Sequence, residues 1–468
     1  MMKVGFLNPQ GNFDNEDSYL TEHPDFGGQL IYVKELAKSL SKLGVQVDII
    51  TRQIKDKEWP EFEDKLAYYE GFENVRIVRI PFGGDKFLNK ENLWYHIDEF
   101  TDNIIKFYDK EGLPDYFTTH YADGGYSGYL LKMKTGIPFT FTGHSLGAQK
   151  MDKMKIDTDN FLKYDKTYHF SKRIAAERIS MKYSTKIITS TDQERKEQYS
   201  HSLYSGAIDA NKLDKFEIIP PGVNIDIFND KDKIKDSTKR YIDDIVGDNT
   251  KPFIILSSRL DAKKNHIAMI KAYAGNEELQ KRANLGFFLR NIKDPYNLEK
   301  IPEKEREILK PIIKIIKEKN LEDKIFFFDF RSQKELADAY RYFSGLNSVF
   351  SLTAFYEPFG LAPIEAAACG LAIVATKNGG PAEIFNEETG VLVDPENERD
   401  IAKGCLNALD NIEILKLNVK KLVYDKYTWD KTAEKYYEVL KSMKDVDKEI
   451  KEEKLDAKKV IIEYLSKK

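Results

Sequence analysis

The chain has 468 residues, 41% of them hydrophobic and 32% charged, too many for one ordinary core, so two domains or more are expected. Its 73 basic residues nearly balance 77 acidic ones for a formal charge of -4, which excludes an overall bias toward nucleic acid or an anionic membrane and leaves any basic site local. Two cysteines, Cys369 and Cys405, exclude a disulfide framework and suit a reducing compartment.

The opening MMKVGFLNPQGN has an apolar run shorter than a signal-peptide core. No segment approaches the roughly 20 apolar residues of a membrane span. A soluble, cytoplasmic protein with no nucleic-acid and no membrane partner is expected. Residues 3–9, KVGFLNP, read as a short buried strand stopped by Pro9 and Gly11. A helix follows from about Gly28, with apolar residues at helical spacing and Gly44 at its end. VQVDIIT is a second strand, and RIVRIPF, DYFTTHY, PFTFTGH and KIITS repeat the pattern. Strand, helix and parallel strand in alternation make a sheet with helices on both faces.

The pattern then restarts. PFIILSSRL, NLGFFLRN, KIFFFDF, SVFSLTA and LAIVATKNGG read as strands, separated by helices such as NHIAMIKAYAGN, EREILKPIIKIIKEKN and QKELADAYRYF. Residues 218–228, IIPPGVNIDIF, read as the linker because Pro220, Pro221 and Gly222 stop regular structure. The stretch from Trp429 to the end reads as charged helix. The expected architecture is α/β, with two doubly wound Rossmann-like domains facing across a cleft and ligands at the carboxyl ends of the strands.

The strand-end loops carry the chemistry. DFGGQLIYV is not the G-x-G-x-x-G turn of a dinucleotide site, which disfavours a nicotinamide enzyme. Gly27 and Gly28 stand at a helix N-terminus, where free N–H groups suit an anion or a close sugar, although a lone Gly-Gly by itself favours a tight turn with helix-sheet packing. His144 follows a strand in FTGHSLGAQK, placed for function or as a structural histidine. No H-x-x-x-H or C-x-x-C pair points to zinc, and Ser145 lies in no G-x-S-x-G elbow. Arg259 and Lys264 share one strand-to-helix turn, SSRLDAKKNH, within reach of one bound anion, or as two solvated bases.

FYEPFGLAPIEAAACG holds Glu357 and Glu365. Pro358 and Gly360 break regular structure, and Pro363 fits a first helical turn. The N–H groups of residues 359–362 are then free to face oxygens or phosphate. Eight residues of helix would rise about 12 Å, beyond the roughly 5 Å or 6.5–9.5 Å of a glycosidase pair. The two acids are therefore expected to hold two ends of one long ligand.

SSRLDAKKNH, EPFGLAPIEAAACG and TKNGGPAEI together resemble the retaining nucleotide-sugar glycosyltransferases with two Rossmann-like domains (GT-B). NPQGN, DFGGQLIYVKELA, QVDIITR, IPFGGDK, FTGHSLGAQK, STDQER and IPPGVN resemble the sucrose-phosphate synthase family in particular. That family moves glucose from UDP-glucose to fructose 6-phosphate with retention, giving sucrose 6-phosphate. The resemblance implies an acceptor-binding domain over 1–219, a nucleotide-sugar domain over 220–430, and a C-terminal helix over 431–468 packing back on the first.

Residue by residue, it implies that Glu365 holds the ribose hydroxyls and Glu357 the donor glucose. Phe359, Gly360 and Leu361 would present N–H groups to sugar and diphosphate, while Arg259 and Lys264 stabilise the leaving group. His144 would contact the transferred glucose, with Gly27, Gly28 and Gln29 against the acceptor and donor sugars. Lys90, Lys150 and Arg173 would meet the acceptor phosphate, with Tyr121 and Ser145 adding hydroxyls. The family's reaction is a front-face attack in which a donor phosphate oxygen takes the acceptor's proton. The resemblance implies that no metal or other cofactor is required, Mg2+ being at most a stimulant.

Two stretches depart from the family pattern: FFLRNIKDP with Asn291, and FFFDFRSQKEL around Arg331. Both fall where the base should bind, so UDP, ADP and GDP stay open, as does glucose against mannose. Plant-type members add a phosphatase-like domain. The charged stretch near Asp445 lacks the strand that a phosphatase aspartate needs, so a separate sucrose-phosphate phosphatase is the expected partner. Mannosylfructose-phosphate synthase and sucrose synthase remain alternatives, and a non-catalytic sugar-phosphate sensor is the alternative of another class.

Overall fold

A computed structural model describes residues 1–20, 23, 25–443 and 450–468; the charged stretch at Asp445 lies outside them. The chain divides into two units, Met1–Pro220 with Thr432–Lys468, and Pro221–Lys431.

The first unit is built on β1 (Lys3–Leu7), β2 (Gln46–Arg52), β3 (Leu66–Tyr69), β4 (Phe72–Ile80), β5 (Tyr116–His120), β6 (Phe139–Thr142), β7 (Lys186–Thr189) and β8 (Phe216–Ile218). They lie in the order β3-β4-β2-β1-β5-β6-β7-β8, and every pairing is parallel except the β3–β4 hairpin. Parallel pairing follows from strands buried on both faces: Val4, Phe6, Leu7, Ile49 and Ile50 are all fully buried. Helix Gly28–Lys42 turns Leu30, Val33, Leu36, Ala37 and Leu40 inward, the spacing of one helical face.

The second unit carries β9 (Phe253–Ser257), β10 (Asn284–Phe288), β11 (Ile325–Phe328), β12 (Val349–Leu352), β13 (Ala372–Thr376) and β14 (Val391–Val393). Their order is β11-β10-β9-β12-β13-β14, all parallel. That is the 3-2-1-4-5-6 order of a doubly wound sheet, whose ligands lie where the strand order reverses. The reversals fall between β1 and β5 in the first unit and between β9 and β12 in the second. No helix among the described residues is long and apolar enough to cross a membrane.

Three strands were not foreseen: β3, β8 and β14. Each has three or four residues and stands half-exposed at a sheet edge or end, which leaves too little alternation to read. Residues 218–228 are also less of a free linker than their prolines imply. Val223 N donates to Tyr427 O at 2.7 Å, and a Cβ on Gly222 would sit 2.2 Å from the carbonyl carbon of Thr428. The C-terminal stretch is not one helix: helix Trp429–Ser442 and helix Lys458–Leu465 are separate. Between them Tyr129 takes over the backbone bonding, donating to Lys451 O at 2.8 Å and accepting from Glu453 N at 2.9 Å, while Ala457 N donates to Ser171 O at 3.0 Å.

Candidate active site

In the second unit, the chain leaving β9 must turn sharply to enter helix His266–Ala274. Asp261 accepts from Lys263 N at 3.1 Å and caps the single turn Ala262–Lys264. Asn265 then takes a left-handed φ of 55°, a conformation asparagine tolerates better than most residues, and its amide donates to Pro395 O at 2.8 Å. This turn aims Lys264 at Glu357, Nζ to Oε2 at 2.5 Å. Arg259 is exposed and, among the described residues, has no hydrogen bond or ion pair. His266 is buried against Ser258 at 3.0 Å, and burial pushes its pKa down to about 4, so it is neutral.

The loop after β12 is stitched to its neighbours through backbone. Phe355 N donates to Lys263 O at 3.0 Å, Glu357 N to Asn378 O at 3.2 Å, and Gly380 N to Glu357 O at 2.9 Å. The Asn378 amide donates to Phe355 O at 2.9 Å. Added Cβ atoms would lie 2.1 Å from Glu357 O at Gly379 and 2.4 Å from Phe359 O at Gly380. The TKNGG turn is thus the bed on which EPFG lies. Asn378, Gly379 and Gly380, quoted from the sequence only within TKNGGPAEI and given no role there, are the residues that support this loop, and the Gly-Gly after a strand is the signal of such a close backbone approach.

Gly360 (φ 108°) caps helix Leu361–Ala368 without a side-chain partner. Among the described residues, the N–H groups of Phe359, Gly360, Leu361 and Ala362 meet no acceptor, an anion-binding arrangement. The expected eight-residue helical rise between the glutamates is not what separates them. Only 361–365 is helical, about 6 Å of rise, and the rest is the stitched loop. Glu365 is half-buried, and its carboxylate has no hydrogen bond or ion pair among the described residues. Loss of water pushes its pKa up to about 7.

In the first unit, helix Gly28–Lys42 starts from Gly27, again without a side-chain cap. A Cβ at Gly27 or Gly28 would meet nothing within 4 Å, so packing does not demand either glycine and the space before the helix is open. Gln29 is buried and its amide donates to Asn8 at the end of β1.

His144 occupies a strained corner, with φ 53° and Ser145 N donating back to Gly143 O at 2.5 Å. Such a γ-turn on a bulky residue persists only where its surroundings over-determine it. They do so here. Glu177, fully buried, accepts from Gly147 N at 2.8 and 3.0 Å, from Arg173 Nε at 3.0 Å and from the Tyr204 hydroxyl at 2.5 Å. Arg173 Nη2 closes the circuit on Ser145 O at 2.5 Å. The His144 imidazole lies 2.9 Å from the buried His120, with Tyr32 and Tyr121 rings at 5.0 and 5.4 Å. Burial lowers its pKa to about 3.

The expected cations of this unit are mutual neighbours. Lys90 pairs with the buried Asp25 at 2.8 Å, and Arg173 is committed to Glu177. Lys150 lies 4.5 Å over the Tyr168 ring and has no carboxylate partner among the described residues. Burial, then Arg173, then Lys90 depress its pKa, opposed by Glu91. Ser145 is exposed, and Tyr121 (φ 61°) begins helix Tyr121–Thr135. Asp123, unforeseen, is buried on the same helix turn, and burial, opposed by hydrogen bonds from backbone N–H groups, raises its acid to about 6.

The family description Glycosyl transferases group 1 matches residues 238–416, and Sucrose synthase first GT-B domain matches 1–247. A probable sucrose-phosphate synthase of Thermosipho melanesiensis is 48% identical over 440 residues, 94% of this chain and 96% of that one. The Spinacia oleracea sucrose-phosphate synthase is 32% identical over 92% of this chain but 45% of its own length, so the chain spans a little under half of that relative. Among solved structures, the sucrose-phosphate synthase of Thermosynechococcus elongatus aligns with a TM-score of 0.65 at 21% identity, over 94% of this chain and 98% of that one. Anabaena HepE in complex with UDP and glucose aligns at 0.60 and 14% identity, over 95% and 100%. These two alignments speak for the fold, and with the 48% identity along nearly the whole length the chain belongs to the sucrose-phosphate synthase family of GT-B glycosyltransferases.

Proposed function

We propose that the protein transfers glucose from UDP-glucose to fructose 6-phosphate, forming sucrose 6-phosphate with retained configuration. The observation that carries this reading is Lys150. Lys150 stands near two other cations, with Glu91 acting on it only from a distance and no ion pair of its own among the described residues, which suits it to an anion, and a phosphorylated acceptor supplies one. Lys90 and Arg173 already have Asp25 and Glu177, so it is Lys150 that a free fructose acceptor would leave without an anion.

In this reading the donor lies on the second unit. Glu365 accepts from the ribose hydroxyls and Glu357 from the glucose, while the N–H groups of residues 359–361 meet sugar and diphosphate oxygens. Arg259 and Lys264 stabilise the diphosphate as it leaves. Lys264 is shared with Glu357 before the donor arrives, so binding trades one ion pair for another instead of exposing a bare charge. In the first unit Gly27, Gly28 and Gln29 border the sugars and His144 faces the transferred glucose as a neutral imidazole. Lys90, Lys150 and Arg173 take the phosphate, with the hydroxyls of Tyr121 and Ser145 beside them.

The bond from the anomeric carbon to the diphosphate oxygen breaks as the acceptor oxygen bonds to that carbon from the same face. The acceptor's proton passes to a phosphate oxygen of the departing UDP. Positioning and leaving-group stabilisation supply the acceleration. The test is nucleotide release with UDP-, ADP- and GDP-sugars, each against fructose 6-phosphate, fructose and glucose 6-phosphate. Turnover only with UDP-glucose and fructose 6-phosphate is expected. Turnover with fructose alone would overturn the phosphate assignment, and binding without release under every pair would make the protein a sensor.

A further inference from the structure

Behind His144 the first unit contains a continuous line of buried polar groups. His120, at the end of β5, is 1% exposed. Its Nδ1 lies 2.9 Å from His144 Nε2, with ring centroids 5.1 Å apart and planes 26° from parallel, so the rings meet edge to edge through their nitrogens. His120 Nε2 lies 3.3 Å from the Thr118 hydroxyl. Thr118 in turn lies beside the hydroxyl of Tyr436, which meets Thr140 Oγ1 at 2.6 Å. Tyr436 is fully buried on helix Trp429–Ser442.

Two neutral imidazoles joined through one nitrogen each share a single N–H, so one ring donates and the other accepts. His144 therefore has Nε2 occupied, and Nδ1 must take the complementary role. A lone core histidine needs a partner only for its own sake. This one spends its partner on a ring held in a strained γ-turn.

We propose that His120, backed by Thr118 and Tyr436, is a positioning residue that fixes the ring orientation and tautomer of His144 and leaves Nδ1 for the transferred sugar. This rests on the reading of His144 as a sugar contact. It assigns work to a residue that never touches substrate and to a side chain of the C-terminal helix.

The experiment uses the full chain and four variants: His120→Phe, His120→Asn, Tyr436→Phe and His144→Gln. Asn places an amide where His120 Nδ1 was. Histidine ¹⁵N spectra, with the His144 signals assigned by their loss in His144→Gln, are expected to show one neutral tautomer in the parent and in His120→Asn. A mixture is expected in His120→Phe and in Tyr436→Phe. Misaiming a contact group costs up to about 100-fold in turnover, so His120→Phe should lower kcat by about 10- to 100-fold with KM for fructose 6-phosphate little changed, and His120→Asn should recover most of it.

An unchanged tautomer in His120→Phe, or an Asn variant as slow as Phe at the same thermal midpoint, would overturn the proposal. If His120→Phe does not fold, Tyr436→Phe decides: a single parental tautomer there overturns it and a mixture supports it. Wild-type kcat in His144→Gln would instead sink the underlying assignment of His144, whereas a slow His144→Gln together with an unmoved His144 tautomer in His120→Phe defeats only the positioning role.

Discussion

Glu365 offers the sharpest measurement. Burial without a partner holds its acid at about 7, against an ordinary 4.5. A ligand that donates two ribose hydroxyls to the carboxylate favours its charged form, so only the ionised fraction binds well. With a pKa near 7 that fraction is roughly one tenth at pH 6 and nine tenths at pH 8, so affinity for UDP-glucose should rise about tenfold across the interval. The diphosphate of UDP-glucose is esterified at both ends and holds no proton in this range, so the ligand adds no slope of its own. Calorimetric titration at constant ionic strength reads the effect. Glu365→Gln keeps the shape, loses the slope, and loses charge-assisted bonds worth about 1.5–3 kcal/mol. The unliganded protein should move the other way. The raised acid is protonated in folded and unfolded chains below about 4.5, so its share of stability is fully present there and is lost as pH rises through about 7. A flat affinity from pH 6 to 8, or the same slope in the Gln variant, would refute the reasoning.

Three other substitutions test the parts separately. Gly379→Ala puts a side chain on a residue at φ 98° and 2.1 Å from Glu357 O. Left-handed strain of about 1–2 kcal/mol with overpacking of about 1–3 kcal/mol should lower the midpoint of the second unit by roughly 5–15 °C and weaken UDP-glucose binding; a parental melting curve contradicts this. Lys150→Met should raise KM for fructose 6-phosphate by about 10- to 100-fold, from a charge-assisted bond of about 1.5–3 kcal/mol, and leave KM for UDP-glucose alone; equal effects on both, read by nucleotide release, would place Lys150 elsewhere. Glu177→Gln leaves the half-buried Arg173 guanidinium without its counter-charge, a loss of about 1.5–3 kcal/mol for a charge-assisted bond, visible as a lower urea midpoint for the first unit.

Most of what could be read along the chain lay at the ends of strands. KVGFL and FIILS announce themselves because a parallel strand buried on both faces is continuously apolar, and the loops after them hold Asn8, Arg259 and Lys264 within a few residues. Glu357 was legible for the same reason, between a strand and a proline. The supports were not. His120 reads as an ordinary strand residue until β5 and β6 are paired and His144 is brought against it. Glu177 reads as one more charge on a helix until it is buried beneath Gly147 and Tyr204. The Gly-Gly of TKNGG signals a close backbone approach, but what approaches Asn378 and Gly379 is visible only when the backbone after β12 is laid upon them. Each support depends on a contact across tens of residues, which local periodicity does not encode. The helical estimate of the glutamate separation erred the same way, treating a loop held by distant bonds as though it propagated its own geometry.

A carboxyl with a pKa near 7 beside an ion-paired one usually marks an acid/base pair, and the two glutamates invite that conclusion again. Their surroundings argue against it. Glu357 is tied to Lys264, so its charge is spent on a cation, and its backbone is clamped on both sides by the TKNGG turn. Glu365 follows the row of free N–H groups inside helix Leu361–Ala368, and in the proposed reading it meets the ribose, whereas a general acid must stand at the bond that breaks. The kinetics separate the two cases. An acid acts in the transition state alone, so Glu365→Gln would lower kcat at every pH with KM unmoved. A clamp on the ribose binds ground state and transition state alike, so the same variant should raise KM for UDP-glucose about tenfold or more and hold kcat within a few-fold. A collapse of kcat at saturating donor would return Glu365 to the chemistry and leave the ribose without its partner.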